Sequence, residues 1–181
     1  MQNPRYALVA YVRNAVGEFV ENLRQELHPD LPHLPAHLTI LPPRRLQGGE
    51  LSALETVEDV CSRAEPFEVT LSDVETFVPV TPTVFIRVAH AAYRMHELHD
   101  RLNTKALACG EEWPYMPHLT IVKLGTEELA QQAYIVSRDR WAQFAGSRHI
   151  PISELTFVRE QEQNRWEDLA GIPLGRGLMK R

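Results

Sequence analysis

Two copies of one tetrapeptide hold the side chains best suited to chemistry in this sequence: His37-Leu38-Thr39-Ile40 and His118-Leu119-Thr120-Ile121. Each follows a nearby proline, Pro35 or Pro117, and opens an apolar, β-branched run. Successive side chains of a strand point to opposite faces, so His37 shares a face with Thr39 and His118 shares one with Thr120. Leu38, Ile40, Leu119 and Ile121 take the other face and anchor each strand. Each copy therefore presents an imidazole and a hydroxyl on one wall, roughly 6–7 Å apart along the strand. Two such walls facing each other would make a cleft.

Two imidazoles that reach one phosphorus suit phosphodiester chemistry. One takes a proton from the attacking oxygen while the other gives a proton to the departing oxygen, and an unperturbed histidine, with a pKa of about 6.5, populates both forms near neutral pH. The threonine hydroxyls can donate hydrogen bonds to non-bridging phosphoryl oxygens as charge develops on them. This scheme uses no metal and no cofactor. The competing reading is a pair of ordinary core histidines; recurrence in the same context, after a helix and a proline, favours the paired site.

Other candidates surround the motifs. Arg44, Arg45 and Lys123 lie just beyond the motif strands and are placed to approach a substrate phosphate. Tyr115 and Trp113 precede the second motif, and they, with Phe77 or Phe85, offer aromatic faces on which a base can stack. His28 and His33, and the pair His96 and His99 on an expected helix, lack a carboxylate or thiolate at a recognised ligand spacing, so no metal site is expected. No phosphate-cradling glycine loop, nucleophile elbow or dinucleotide fingerprint occurs.

Hydrophobic spacing gives the elements that must position these residues. Tyr6 to Val12 reads as a strand, and Asn14 as the N-cap of a helix carrying Val16, Phe19, Val20, Leu23 and Leu27. A strand from His37 to Leu41 precedes a helix from about Leu51 to Ala64. Phe67 to Leu71 alternates as a strand that continues towards Phe77 and forms a hairpin with Val84 to Val88. A helix from about Ala91 to Leu107 stops at Cys109-Gly110, His118 to Leu124 is the repeat strand, and Thr126 caps a helix to about Ala145. Ile150 to Val158 and a strand near Ile172 to Leu174 flank the polar stretch Arg159 to Asp168. The order β-α-β-α-β-β-α-β-α-β-β places each motif strand after a helix, as in an internal duplication. Its hairpins point to an α+β fold with antiparallel sheets rather than a doubly wound parallel sheet.

At 181 residues with 44% hydrophobic content, the chain suffices for one sizeable core, so one domain over residues 1–181 is expected. A net charge of −5 disfavours an extended nucleic-acid surface but leaves room for one terminal phosphate at a local basic site. Cys61 and Cys109 have no nearby partner, so no disulfide is expected. No apolar run approaches the ~20 residues of a membrane span, and Met1 to Tyr6 lacks the pattern of a signal peptide. A cytoplasmic monomer, without membrane attachment, is the expectation.

With these motifs the sequence resembles the two-histidine phosphoesterases, the LigT-like group that includes 2′-5′ RNA ligases and RNA 2′,3′-cyclic phosphodiesterases. Their mark is a pair of His-x-Thr-hydrophobic motifs, matched here by His37, Thr39 and Ile40 and by His118, Thr120 and Ile121. The segment from Leu155 through Trp166 to Leu174 is similar to the family's closing strand pair. The resemblance implies a bilobal fold: two antiparallel sheets facing a central cleft, helices outside, and two intertwined lobes related by a pseudo-two-fold. It also implies a hydrolase that opens the 2′,3′-cyclic phosphate of an RNA end or small nucleotide to a 2′-phosphate without a metal. ATP-independent 2′-5′ RNA ligation on the same site is the neighbouring alternative. A non-catalytic nucleotide or RNA-end binding module on the same fold is the alternative from another class, and two complete proton-transferring motifs argue against it.

Overall fold

The computed structural model describes residues 3–162 and 164–175. Its first strand, β1 (Tyr6–Tyr11), leads to Asn14, whose side-chain oxygen accepts from the backbone N–H groups of Val16 (3.1 Å) and Gly17 (3.4 Å) and so starts α1 (Ala15–Leu27). The buried stripe of α1 contains Val16, Val20 and Leu23, and also Arg24. The helix lies so close to the end of the strand that a Cβ on Gly17 would sit 1.9 Å from the Val12 carbonyl oxygen, which only glycine avoids.

The chain continues through β2 (His37–Arg44), α2 (Glu50–Ser62), β3 (Phe67–Thr76), β4 (Thr83–His90), α3 (Ala92–Leu102), β5 (His118–Lys123), α4 (Glu127–Ala142), β6 (His149–Ile152), β7 (Glu154–Glu162) and β8 (Arg165–Pro173). Thr126 caps α4 through the Leu129 N–H at 3.2 Å, where the sequence places that cap. The strands form one sheet in the order β6-β3-β4-β5-β2-β1-β7-β8, antiparallel at every pairing. This is the α+β architecture expected: among the described residues, four α-helices on an antiparallel sheet curled into a half-barrel.

A pseudo-two-fold is visible in the strand order. From the centre outward one half reads β2-β1-β7-β8 and the other β5-β4-β3-β6, each led by a motif strand. The halves exchange strands: β3 crosses to pair with β4, and β7 returns to pair with β1. The two sheets expected from the sequence are joined into one along β2 and β5, whose Cα partners are Leu38 and Leu119. Leu8, Leu38, Ile40, Ile86, Leu119, Ile121 and Phe157 are buried in the main core. A second, small cluster of Ala7, Val9 and Val158, with Tyr11 and Trp166 against it, lies on the opposite, concave face.

Three elements depart from the sequence expectation. The helix expected to Leu107 ends at Leu102, because the Asn103 side chain turns the chain back: its Oδ1 accepts from the Cys109 N–H (2.9 Å) and from Arg44 (2.8 Å), with a 3-10 turn at Lys105–Leu107 between. The strand expected from Ile150 to Val158 is two strands. They part at Ser153 and serve opposite ends of the sheet, β6 beside β3 and β7 beside β1. The polar stretch Arg159 to Asp168 is the tip of the β7–β8 hairpin rather than a free loop; its charges pair across strands, as Arg159 does with Glu167. Among the described residues no helix is long and apolar enough to cross a membrane.

Candidate active site

The pairing of Leu38 with Leu119 decides the geometry of the site. One residue either way along antiparallel strands, it sets His37 across from Thr120 and Thr39 across from His118. The four polar side chains share one face, with the two imidazoles as diagonal neighbours whose Cα atoms lie about 7–8 Å apart. The motifs therefore do not stand on two facing walls; they form one quartet across the seam of the curled sheet. The faces are independently marked. Tyr11 is the Cα partner of His37 and Val9 of Thr39, and both belong to the concave cluster, whereas Leu38 and Leu119 belong to the main core.

Both motif strands carry a β-bulge directly after the threonine. In β2 the register shifts between Thr39, paired with Val9, and Leu41, paired with Leu8; in β5 it shifts between Thr120, paired with Phe85, and Val122, paired with Val84. The extra residue lets Ile40 and Leu41, and likewise Ile121 and Val122, bury side by side in the core. It also takes the motif carbonyls out of regular pairing, and side chains satisfy them. The Tyr115 hydroxyl donates to the Thr39 carbonyl at 2.8 Å, and the Arg24 guanidinium donates to the carbonyls of Thr120 (3.1 Å) and Ile121 (2.7 Å).

Each imidazole is pinned in the same way. His37 Nδ1 lies 2.8 Å from the Pro35 carbonyl oxygen and His118 Nδ1 lies 2.7 Å from that of Met116, two residues earlier in both cases. A carbonyl only accepts, so Nδ1 carries the hydrogen and Nε2 of each neutral ring is the free acceptor. Burial lowers the pKa of both rings below the ordinary 6.5. For His37 the Arg24 cation and the neighbouring His118 lower it further, against the opposing effect of the Pro35 carbonyl. Tyr11 meets His37 edge-on with centroids 6.5 Å apart, and the stacked rings of Phe77 and Phe85 both meet His118 at 5.2 Å.

The structure brings together His37, Thr39, His118 and Thr120, and separates the three residues expected to bind substrate. Arg44 is a correction. A further bulge turns it to the core side opposite Tyr6, where it is 3% exposed and bonded to Pro42 and Leu107 carbonyls, Asn103 and Glu111. Tyr115 is likewise a brace: its hydroxyl is held by Thr39, its ring stacks on His99 at 4.2 Å, and burial raises its pKa. Lys123 lies on the face of His118 and Thr120, because the bulge at Ile121 returns it there opposite Thr83, and it is exposed. Trp113 is exposed and Phe77 and Phe85 back His118. His33 pairs with Glu21 and His99 with Glu111; among the described residues no three His, Cys, Asp or Glu gather as a metal site.

Arg44→Met is accordingly expected to cost about 3–5 kcal/mol of stability, the usual effect of breaking one side of a buried ion pair. Urea unfolding reads this loss. A substrate-binding role would instead leave stability unchanged and raise KM.

Sequence reasoning missed Tyr11, Arg24, Arg87 and Asp168. Tyr11 and Arg87 are the cross-strand partners of His37 and His118, and Asp168 accepts from the Tyr11 hydroxyl at 2.5 Å. Arg24 had a visible signal: it falls four residues after Val20, on the apolar stripe of α1, where a cation is out of place.

Comparison with known proteins bears on the family and the fold. A family model described as the 2′-5′ RNA ligase superfamily matches residues 12–164. Among curated proteins, "Putative phosphoesterase BH1439" of Halalkalibacterium halodurans is 28% identical over 118 residues, 64% of this chain and 68% of that one. "Putative phosphoesterase BCB4264_A1283" of Bacillus cereus is 24% identical over 177 residues, 96% of this chain and 98% of that one. Among solved structures, E. coli LigT complexed with 3′-AMP superposes with a TM-score of 0.65 at 14% identity, over 96% of this chain and 99% of that one. TT0787 of Thermus thermophilus gives 0.66 at 15%, over 94% and 98%. At these identities the structures speak to the fold alone.

Proposed function

Since the chain belongs to the 2′-5′ RNA ligase superfamily, we propose that it is a phosphoesterase that opens 2′,3′-cyclic phosphates by two-histidine acid–base catalysis. One observation carries the reading: two imidazoles on one concave face at diagonal cross-strand positions, each pinned at Nδ1 and, among the described residues, each with no partner at Nε2. The cyclic phosphate sits over the seam between them. Water attacks phosphorus and its proton passes to neutral His37 Nε2; the P–O3′ bond breaks and the departing O3′ takes the proton of His118 Nε2. The product holds a 2′-phosphate and a free 3′-hydroxyl. Thr39 and Thr120 donate to the two non-bridging oxygens. Curated relatives named as phosphoesterases, and a LigT structure holding 3′-AMP, support a nucleotide-type phosphate as the substrate. Lys123 approaches from the end of β5. The carboxylates of Asp168 and Glu75 among Arg13, Arg87 and Lys123 suit one phosphate better than a run of them.

The division of labour follows from the surroundings. The singly protonated pair carries its proton on His118, because His37 alone feels the Arg24 cation. The free enzyme loses its base as pH falls through the His37 value and its acid as pH rises through the His118 value, and both values lie below 6.5. The profile of kcat/KM is therefore expected to be a bell with its maximum on the acid side of pH 6.5. A bound phosphate anion favours the imidazolium, so the kcat profile lies at higher pH. Initial rates on a 2′,3′-cyclic mononucleotide across pH check both. Rates on that nucleotide and on a short RNA ending in a cyclic phosphate, measured side by side, define substrate length; failure to open either rules the reading out.

A further inference from the structure

We propose that Arg24 is a positioning residue of this site, a buried guanidinium that ties the second motif strand to the segment leading into the first. The motif strands need such a tie, since β2 and β5 pair at Leu38 and Leu119 alone. Beyond that pair the alignment of His37 with His118 has no ladder to hold it. Arg24 reaches up from α1 and donates through Nε to the Ile121 carbonyl (2.7 Å), through Nη2 to the Thr120 carbonyl (3.1 Å) and through Nη1 to the Leu34 carbonyl. Thr120 and Ile121 are the last two residues of the second motif; Leu34 precedes Pro35, whose carbonyl holds the His37 ring. One planar fork thus sets the approach of both motifs, which an ammonium group could not do with the same geometry.

The arrangement does not follow from stability alone. Arg24 is only 9% exposed, and among the described residues it forms no salt bridge; burial lowers its own pKa, against the smaller opposing effect of the Glu21 charge on the same helix. A buried cation satisfied by carbonyls costs more desolvation than an apolar side chain would at the same place on the stripe. Its charge bears on His37, whose other charged or titratable neighbours among the described residues are His118 on β5 and Tyr11 on β1. Behind Tyr11 stand the Arg13 guanidinium, 4.9 Å from its ring centroid, and the Asp168 carboxylate on its hydroxyl. Of these, the Arg24 and His118 charges disfavour the imidazolium of His37.

The inference rests on the proposed two-histidine reaction, and its test separates the two. Arg24→Lys keeps the charge and loses the fork; Arg24→Met loses both. With histidine rings isotopically labelled, NMR titration follows His37 and His118 without reference to turnover. In Arg24→Met the His37 titration is expected to move to higher pH than in the wild type, with His118 moving less. In Arg24→Lys it stays near the wild-type position. Both variants are expected to lose kcat on the order of 10- to 100-fold, as misplaced catalytic groups do, with KM changed less. If Arg24→Met does not fold, Arg24→Lys carries the test: wild-type kcat in folded Arg24→Lys overturns the inference, as does an unmoved His37 titration in folded Arg24→Met. If the His37→Ala and His118→Ala enzymes lose turnover while the Arg24 variants keep it, the tie fails and the reaction stands. If the histidine variants keep turnover, the reaction fails, and the titration still reports on the Arg24 charge.

Discussion

His37→Ala and His118→Ala are each expected to lower kcat by about 10²- to 10⁴-fold, the range for a positioned general acid or base. The double variant is expected to fall scarcely below the worse single one. The reason is the coupled proton traffic: with no base, the acid has no developing nucleophile to serve, and groups that act as a unit are non-additive. Folding should survive, because both rings lie on the concave face outside the main core and each makes one hydrogen bond, to a carbonyl that water can satisfy. Thermal unfolding and single-turnover rates, read on the same preparations, separate loss of catalysis from loss of fold. Two single effects that multiplied in the double variant would mean that the rings act independently.

Thr39→Val and Thr120→Val should each lower kcat by roughly 10- to 1,000-fold with a smaller effect on KM, the signature of a donor that strengthens in the transition state. Valine preserves the β-branched shape that the strand requires and removes only the hydroxyl. The structural role of each threonine resides in its carbonyl, which Tyr115 holds at Thr39 and Arg24 at Thr120, and valine keeps that carbonyl. The two hydroxyls address different phosphoryl oxygens, so here, unlike the histidines, the effects should multiply in the double variant. Steady-state kinetics on all four enzymes decides this; an unchanged kcat with a raised KM would assign the hydroxyls to ground-state binding.

The parts of the fold legible in the sequence are those governed by local rules. Asn14 and Thr126 announce their helices because capping is a short-range side-chain bond, and alternation in Phe67 to Leu71 announces a strand. The shared face of His37 and Thr39 was legible for the same reason: strand parity fixes it. Parity failed just past the motifs. A bulge after each threonine reverses it, and a second bulge in β2 turns Arg44 to the core, so a residue four positions beyond Ile40 cannot be assigned to a face by counting. Tyr11, Arg87 and Asp168 enter the site only through cross-strand pairing, which depends on the order of strands in the sheet. The split of β6 from β7 is equally non-local, since two strands separated by Ser153 travel to opposite ends of the sheet.

The central claim is metal-independent opening of a cyclic phosphate by this pair of imidazoles. Phosphorus NMR of a 2′,3′-cyclic mononucleotide incubated with the enzyme in excess EDTA tests it most directly. The expected result is disappearance of the cyclic signal and growth of the 2′-phosphate alone, at a rate abolished by His118→Ala. Turnover only after Zn²⁺ or Mn²⁺ is added back, or exclusive growth of the 3′-phosphate, would contradict it.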